Sequence, residues 1–191
     1  MKLKLSNRKF TIISSAVLAV VLLVGAFALF GASSKGELLD QAGRREGRGE
    51  SGLVFIDPSL TALAGELSGT AESQAVAKAA FDGVNAQRAA AGLKSLAWSS
   101  GLEQASDVRA VEAAQVWSHS RPDGSDYWTV NSKIVYGENL AKGYNTANDA
   151  VTAWMNSVSH RDNILFPDYR TAAIAIHIQD GQWYWANEFG Y

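Results

Sequence analysis

Every tryptophan and every tyrosine of this 191-residue chain, six of each, lies at or beyond Trp98. Large aromatic side chains supply much of the area that a core buries, so the C-terminal half must carry the globular domain. The N-terminal part has a different job.

From Phe10 to Ala32 the chain is apolar for 23 residues, interrupted only by Thr11, Ser14, Ser15 and two glycines. At about 1.5 Å per residue, a helix of that length spans the hydrocarbon of a bilayer. Lys2, Lys4, Arg8 and Lys9 stand at its front with no acidic residue, the pattern of the basic start of an export signal. The formal charge of -2 is therefore the sum of a +4 segment ending at Ser34 and a -6 remainder. Ala26-Phe27-Ala28 and Gly31-Ala32-Ser33 are small-x-small cleavage sites, yet the run is longer than the roughly 7 to 15 residues of an ordinary signal. Residues 1–34 are thus expected to be a signal peptide or a signal-anchor transmembrane helix, with the N-terminus inside. The rest of the chain is then membrane-anchored with an extracellular C-terminal domain, or secreted after cleavage.

A net charge this small gives no case for a nucleic-acid partner bound by broad phosphate neutralisation. The absence of cysteine excludes disulfides, thiol nucleophiles, cysteine-zinc sites and a lipid-modified cysteine.

Residues 35–70 mix four basic and six acidic residues with Gly36, Gly43, Gly47, Gly49 and Gly52. Such a composition buries too little to order itself and reads as a flexible polar tether, with Leu53–Ile56 and Leu60–Leu63 as apolar islands able to dock. Residues 71–191 form the domain. Val76, Ala77, Ala80, Phe81 and Val84 share one helical face within 72–91, and Gly92 stops that helix. Leu93 to Trp98 is an extended link. Ser99 or Ser100 caps a second helix reaching about Trp117, and Thr146 with Asp149 opens a third. A short helical turn follows from His160 to Leu165. Ile174, Ile176 and Ile178 then alternate with Ala173, Ala175 and His177, and Asp180-Gly181 turns the chain into a second strand from Trp183 to Phe189. Helices followed by an antiparallel hairpin indicate an α+β or layered α-β-α domain.

The polar strings set in this order are Val84-Asn85-Ala86-Gln87-Arg88, Leu96-Ala97-Trp98, Arg109-Ala110-Val111-Glu112, Ser118-His119-Ser120-Arg121-Pro122-Asp123-Gly124 and Gly137-Glu138-Asn139-Leu140. Ala153-Trp154-Met155-Asn156-Ser157, Ser159 to Leu165 and Trp185 to Gly190 complete them. Their order over residues 74–190 resembles the CAP superfamily (cysteine-rich secretory proteins, antigen 5 and pathogenesis-related proteins), in its bacterial SCP-like extracellular branch. The resemblance implies an α-β-α sandwich with a central antiparallel sheet, preceded here by the N-terminal hydrophobic helix. It also implies a groove where two histidines and two acids converge. Carried onto this sequence, the groove residues are His119, Glu138 and His160, while the second acid falls on Ser157.

His119, Glu138 and His160 are a sensible ligand set for Zn2+ or another divalent metal with water in the fourth position. The same residues could run acid-base hydrolysis of a peptide or glycan of the cell envelope, either through a metal-bound water or with Ser157 or Ser159 as nucleophile. They serve equally as a hydrogen-bonded network that holds three segments together around a groove for a ligand. Trp117, Tyr127, Trp128, Tyr136 and Tyr144 could line an apolar cleft for a lipid, a sterol or a peptide, or simply pack. The reading favoured from sequence is an exported binding or interaction module at the envelope rather than an enzyme, with no catalytic residue assigned. Arg109 and Glu112 read as an ion pair within one helix, His177 as a surface residue, and Asn139 as a residue that fixes a loop.

Overall fold

A computed structural model describes residues 36–39 and 70–191. Strand β1 (Glu37–Leu38) comes first, then helix α1 (Ala71–Ala90), strand β2 (Ala97–Trp98) and helix α2 (Ser100–Gln115). A 3-10 turn at Tyr127–Asn131 leads to strand β3 (Gly137–Lys142), helix α3 (Ala147–Asn156) and helix α4 (Val158–Ile164). Strands β4 (Thr171–Gln179) and β5 (Gln182–Gly190) close the chain. The apolar run Phe10–Ala32 and the islands at 53–56 and 60–63 lie outside the described residues. Among the described residues no helix is long and apolar enough to cross a membrane.

Side-chain chemistry at the helix starts explains where they begin. The Thr70 hydroxyl accepts from the Ser73 amide at 3.3 Å, and Ser99 does the same for Leu102 at 3.4 Å, each satisfying a donor that the first turn leaves open. Thr146 accepts from the Asp149 amide at 3.2 Å and donates to the Asp149 carboxylate at 2.7 Å, so the expected cap is present. The β4–β5 hairpin turns on Asp180 and Gly181, at φ 53° and 76°. Two left-handed residues in succession match the twist of the flanking strands.

The five strands lie in the order β1-β3-β5-β4-β2. The pairs β1–β3, β3–β5 and β4–β5 are antiparallel, whereas β2 runs parallel to β4. The sheet is therefore mixed at one edge, which departs from the antiparallel expectation. The link between α1 and α2 reaches the open edge of β4 pointing the same way, pairs for only two residues and leaves for α2.

Alternation along the strands separates two apolar layers. Ala172, Ile174, Ile176, Trp185 and Phe189 face a core completed by Ala77, Phe81 and Val84 of α1, Val151 and Trp154 of α3, and Ile164 of α4. Ala173 on the opposite face meets Leu102, Ala105 and Val108 of α2, and Leu140 and Ala186 meet Ala110 and Ala113. The layers are thus α1, α3 and α4, then the sheet, then α2. Trp154 and Trp185 cross edge to face at 6.2 Å, and both are fully buried. The Val84–Arg88 string proves structural. Asn85 clamps the backbone of Leu96 through both ends of its amide, at 3.1 and 2.8 Å. The buried Arg88 donates to the carbonyls of Lys94, Ile164 and Phe166 at 2.7 to 2.9 Å, tying α1 to the end of α4.

Candidate functional site

Strand β3 presents Glu138 to the α2 layer and Asn139 to the α4 layer, because successive side chains of a strand point to opposite faces. Glu138 is wholly buried, and a carboxylate there needs partners. Arg109 of α2 supplies two bonds, from Nε at 2.6 Å and Nη2 at 3.1 Å, and His119 Nδ1 supplies a third at 2.7 Å. Burial works against the charge, but the bond from His119 and then the Arg109 guanidinium outweigh it, holding this carboxyl below its ordinary range. Arg109 also donates to Glu112 at 2.7 Å and to the Ser118 carbonyl at 3.0 Å, and Glu112 receives Arg121 at 2.7 Å. The Arg109–Glu112 pair expected within one helix is present, and Arg109 additionally reaches across to the sheet. It fixes both Glu138 and the loop that carries His119.

Directly opposite Glu138 on β5 stands Glu188, also wholly buried. Among the described residues no N–H or hydroxyl donor reaches either of its carboxyl oxygens, and its polar neighbour is the Glu138 carboxyl itself. Burial, and next the nearby charge of Glu138, push its carboxyl well above the ordinary range. Glu188 is therefore the neutral member of the pair.

On the other face, the Asn139 amide donates to the His160 carbonyl at 3.0 Å and accepts from Asn163 at 3.0 Å, while Asn163 also reaches the Glu138 carbonyl at 3.2 Å. These bonds dock α4 against β3 and set His160, which is 1% exposed. Asn139, expected to fix a loop, lies instead on strand β3, and the backbone carbonyl its amide satisfies belongs to helix α4. Ser157, at the junction of α3 and α4, lies 2.7 Å from His160 Nδ1.

The two histidines come from opposite faces of the sheet and meet beyond its β1 edge. His119 Nε2 and His160 Nε2 each lie 2.9 Å from one atom, the carbonyl oxygen of Leu39. A carbonyl only accepts, so both nitrogens donate. In a neutral His160 this leaves Nδ1 as the acceptor for the Ser157 hydroxyl. His119 has acceptors opposite both ring nitrogens and makes both bonds only when it carries both protons.

The structure thus joins His119, Glu138, His160 and Ser157 in one chain of contacts, but not around a common point. Glu138 stands behind His119 on the Nδ1 side, and Ser157 stands behind His160 in the same way. Among the described residues no three His, Cys, Asp or Glu side chains gather so as to hold a metal ion. Of the aromatics expected near the groove, Tyr127 and Tyr136 are buried, Tyr127 with its ring edge-on to His119 at 6.4 Å and to the partly buried Trp128 at 5.2 Å. Trp117 and Tyr144 flank β1, through a bond from Trp117 Nε1 to Glu37 at 3.0 Å and a close approach of the Tyr144 ring to Gly36. His177 is half-buried on β4, its pKa lowered chiefly by burial. Leu39 and Glu188 are the participants that sequence reasoning missed. Leu39 carries no polar side chain to flag it, and Glu188 becomes notable only through the strand register that sets it against Glu138.

Residues 81–189 match the cysteine-rich secretory protein family, CAP. The chain is 33% identical over 112 residues to the uncharacterized protein YkwD of Bacillus subtilis, an alignment covering 55% of this chain and 43% of that protein. The chain therefore spans less than half the length of that curated relative. Among solved structures, an extracellular SCP-domain protein of Bacillus anthracis superposes with a TM-score of 0.53 at 22% identity, over 62% of this chain and 41% of the other. An outer surface protein of Borrelia burgdorferi gives 0.51 at 20% identity, over 58% of this chain and 87% of the other. At these identities the likeness shows the fold.

Proposed function

This chain belongs to the CAP family of cysteine-rich secretory proteins, and from that premise we propose that it is a binding module displayed outside the cell. Its ligand contributes an oxygen acceptor that the histidine pair grips. Support for an exterior location comes from the export-type N-terminus and from the extracellular and outer-surface relatives that share the fold. The reading is carried by one observation, the convergence of two imidazole N–H donors on a single oxygen at 2.9 Å each. Charge-assisted or paired donors of this kind grip a carbonyl or carboxylate tightly. Glu138 and Ser157 hold the two rings from behind, so the donors are oriented before a ligand arrives.

Zn2+ or another divalent metal fits this arrangement poorly. Two nitrogens face the groove, Glu138 is engaged by Arg109 and His119, and a hydroxyl stands at position 157, which leaves any such ion short of the protein ligands it normally takes. Were a metal bound, His119 and His160 would hold it, Glu138 would orient His119 from Nδ1, and the ion would act by polarising a ligand oxygen. Calorimetric titration with Zn2+ checks this, since heat that vanishes in His119→Ala would restore the metal reading.

The main test is sedimentation of the full chain, kept in detergent, with insoluble cell-envelope material. His119→Ala and His160→Ala should each weaken retention at least about tenfold, the loss of one of the two donors on the ligand oxygen. Retention equal to the unaltered chain in both variants overturns the proposal.

A further inference from the structure

The β3 edge and the histidine pair already hold four residues of their own chain, and those contacts define what else can bind there. Strand β1 pairs with β3 through Glu37 opposite Lys142 and Leu38 opposite Ala141. The Glu37 carboxylate receives Trp117 Nε1 at 3.0 Å and Lys142 Nζ at 2.9 Å, and Lys142 itself lies 4.8 Å over the Trp117 ring. Leu38 packs on the core that faces α1, while Leu39 packs on the small cluster against α2, as alternation along an extended chain requires. Leu39 ends the segment by giving its carbonyl to both histidines. Gly36 begins it under the Tyr144 ring, where a Cβ would collide.

Three modes of recognition act within these four residues: a main-chain ladder, a clamp on one carboxylate and a clamp on one carbonyl. Each reads a feature that any extended peptide of like sequence would carry, and addition of a strand to an open sheet edge is a general route to peptide binding. We propose that the β3 edge, from Lys142 and Trp117 to the histidine pair, is a docking site for an extended peptide. The peptide bears an acidic residue two positions before the residue whose carbonyl enters the histidine clamp. Residues 36–39 are the resident occupant, which an incoming peptide displaces. This inference rests on the ligand-binding reading above and names its ligand class. The resident segment is covalently tethered, so its effective concentration is of millimolar order, and a free peptide competes only after that contact is weakened.

The probe is a fluorescein-labelled peptide copying residues 35–40, followed by anisotropy against the full chain in detergent. The unaltered chain should bind it weakly. Gly36→Val, which sets bulk against Tyr144, should bind it at least about tenfold tighter by releasing the resident segment. Glu37→Lys provides a second route to the same release. The Glu37 side chain is 56% exposed, so this variant leaves the core intact, and it should show the same gain. Adding His160→Gln or Lys142→Glu to either variant should abolish the gain, and a peptide with Lys at the position matching Glu37 should not bind. No gain in both releasing variants, or equal binding of the Lys-bearing peptide, overturns the proposal. If envelope retention still depends on the histidines while the peptide never binds, the peptide class falls and the groove reading stands. If neither depends on the histidines, both fall.

Discussion

Glu138 on β3 and Glu188 on β5 face each other across the sheet as two fully buried carboxyl groups, one held charged and the other neutral. The asymmetry has a simple origin. Arg109 and His119 bond to Glu138, and once that charge exists, burial and Coulomb repulsion keep the proton on Glu188. The pair therefore answers differently to the same change.

Glu138→Gln should cost about 3 to 5 kcal/mol at pH 7, because it leaves a buried guanidinium short of its main counter-charge. Glu188→Gln should change stability little near pH 4, where an amide replaces a carboxyl uncharged in both states, and should stabilise the protein at pH 7, where only the unfolded carboxyl ionises. The pH dependences differ in sign. Glu138 has a lowered pKa, so its contribution is present above the ordinary carboxyl range and is lost as the pH falls through its own value. Glu188 has a raised pKa, so the unfolded chain ionises first and stability declines as the pH rises from the ordinary range toward the raised value. Thermal melts at pH 4, 7 and 9 check both, and Glu188→Gln should gain on the unaltered protein as the pH rises.

Asp107 sits on α2 beside a cavity of about 270 Å³ lined also by Trp98, Glu103, Lys78 and Ile174. Burial, and then the nearby Glu103, push its carboxyl up to about 7. A raised carboxyl pKa means that this group is no burden below pH 4 and an increasing one from there to about 7. Asp107→Asn should accordingly raise the melting temperature by a few degrees at pH 8 and leave it unchanged at pH 4. Equal shifts at the two pH values would contradict the assignment.

The Ser157 hydroxyl lies 2.7 Å from His160 Nδ1, closer than that of Ser159 at 3.4 Å. Ser157→Ala should cost about 1 to 2 kcal/mol, the loss of one bond at a buried ring. The Leu39 carbonyl still accepts from Nε2, so nitrogen-15 spectra should show the Nε2–H tautomer in both proteins, with the Nδ1 signal shifted in the variant by the lost hydroxyl bond.

Asn139→Ala removes the amide that joins β3 to the His160 carbonyl and to Asn163. The His160 carbonyl and the Asn163 amide each lose one bond at a buried site, a loss of about 1 to 3 kcal/mol. Hydrogen exchange should quicken in α4 before it does in α2, because the lost bonds lie on the α4 face. Uniform acceleration across both helices would argue against a local role.

Much of this architecture is legible in the sequence, for reasons that are local. Thr146 with Asp149 marks a helix start, Asp180-Gly181 marks a hairpin, and alternating isoleucines mark a strand, because each pattern expresses bonding within a few residues. His119, Glu138, His160 and Ser157 are legible through the order of their surrounding strings. The link from Arg109 to Glu138 is not, since it joins positions 29 apart by packing α2 on the sheet. Nor is β1, whose two residues sit in a stretch of tether-like composition and owe their strand conformation to Lys142, Trp117 and the histidines. The parallel setting of β2 likewise depends on which edge of β4 is free, a property of the assembled sheet.

The short β1 has a consequence for how the molecule meets its neighbours. A long unpaired strand edge invites pairing with any other chain, which proteins crowded on a surface must prevent. Here Glu37 and Leu38 cover part of the β3 ladder, and the acid and Lys142 put charge at its rim. A peptide that took their place would cover the same atoms. The sheet would exchange one guard for another.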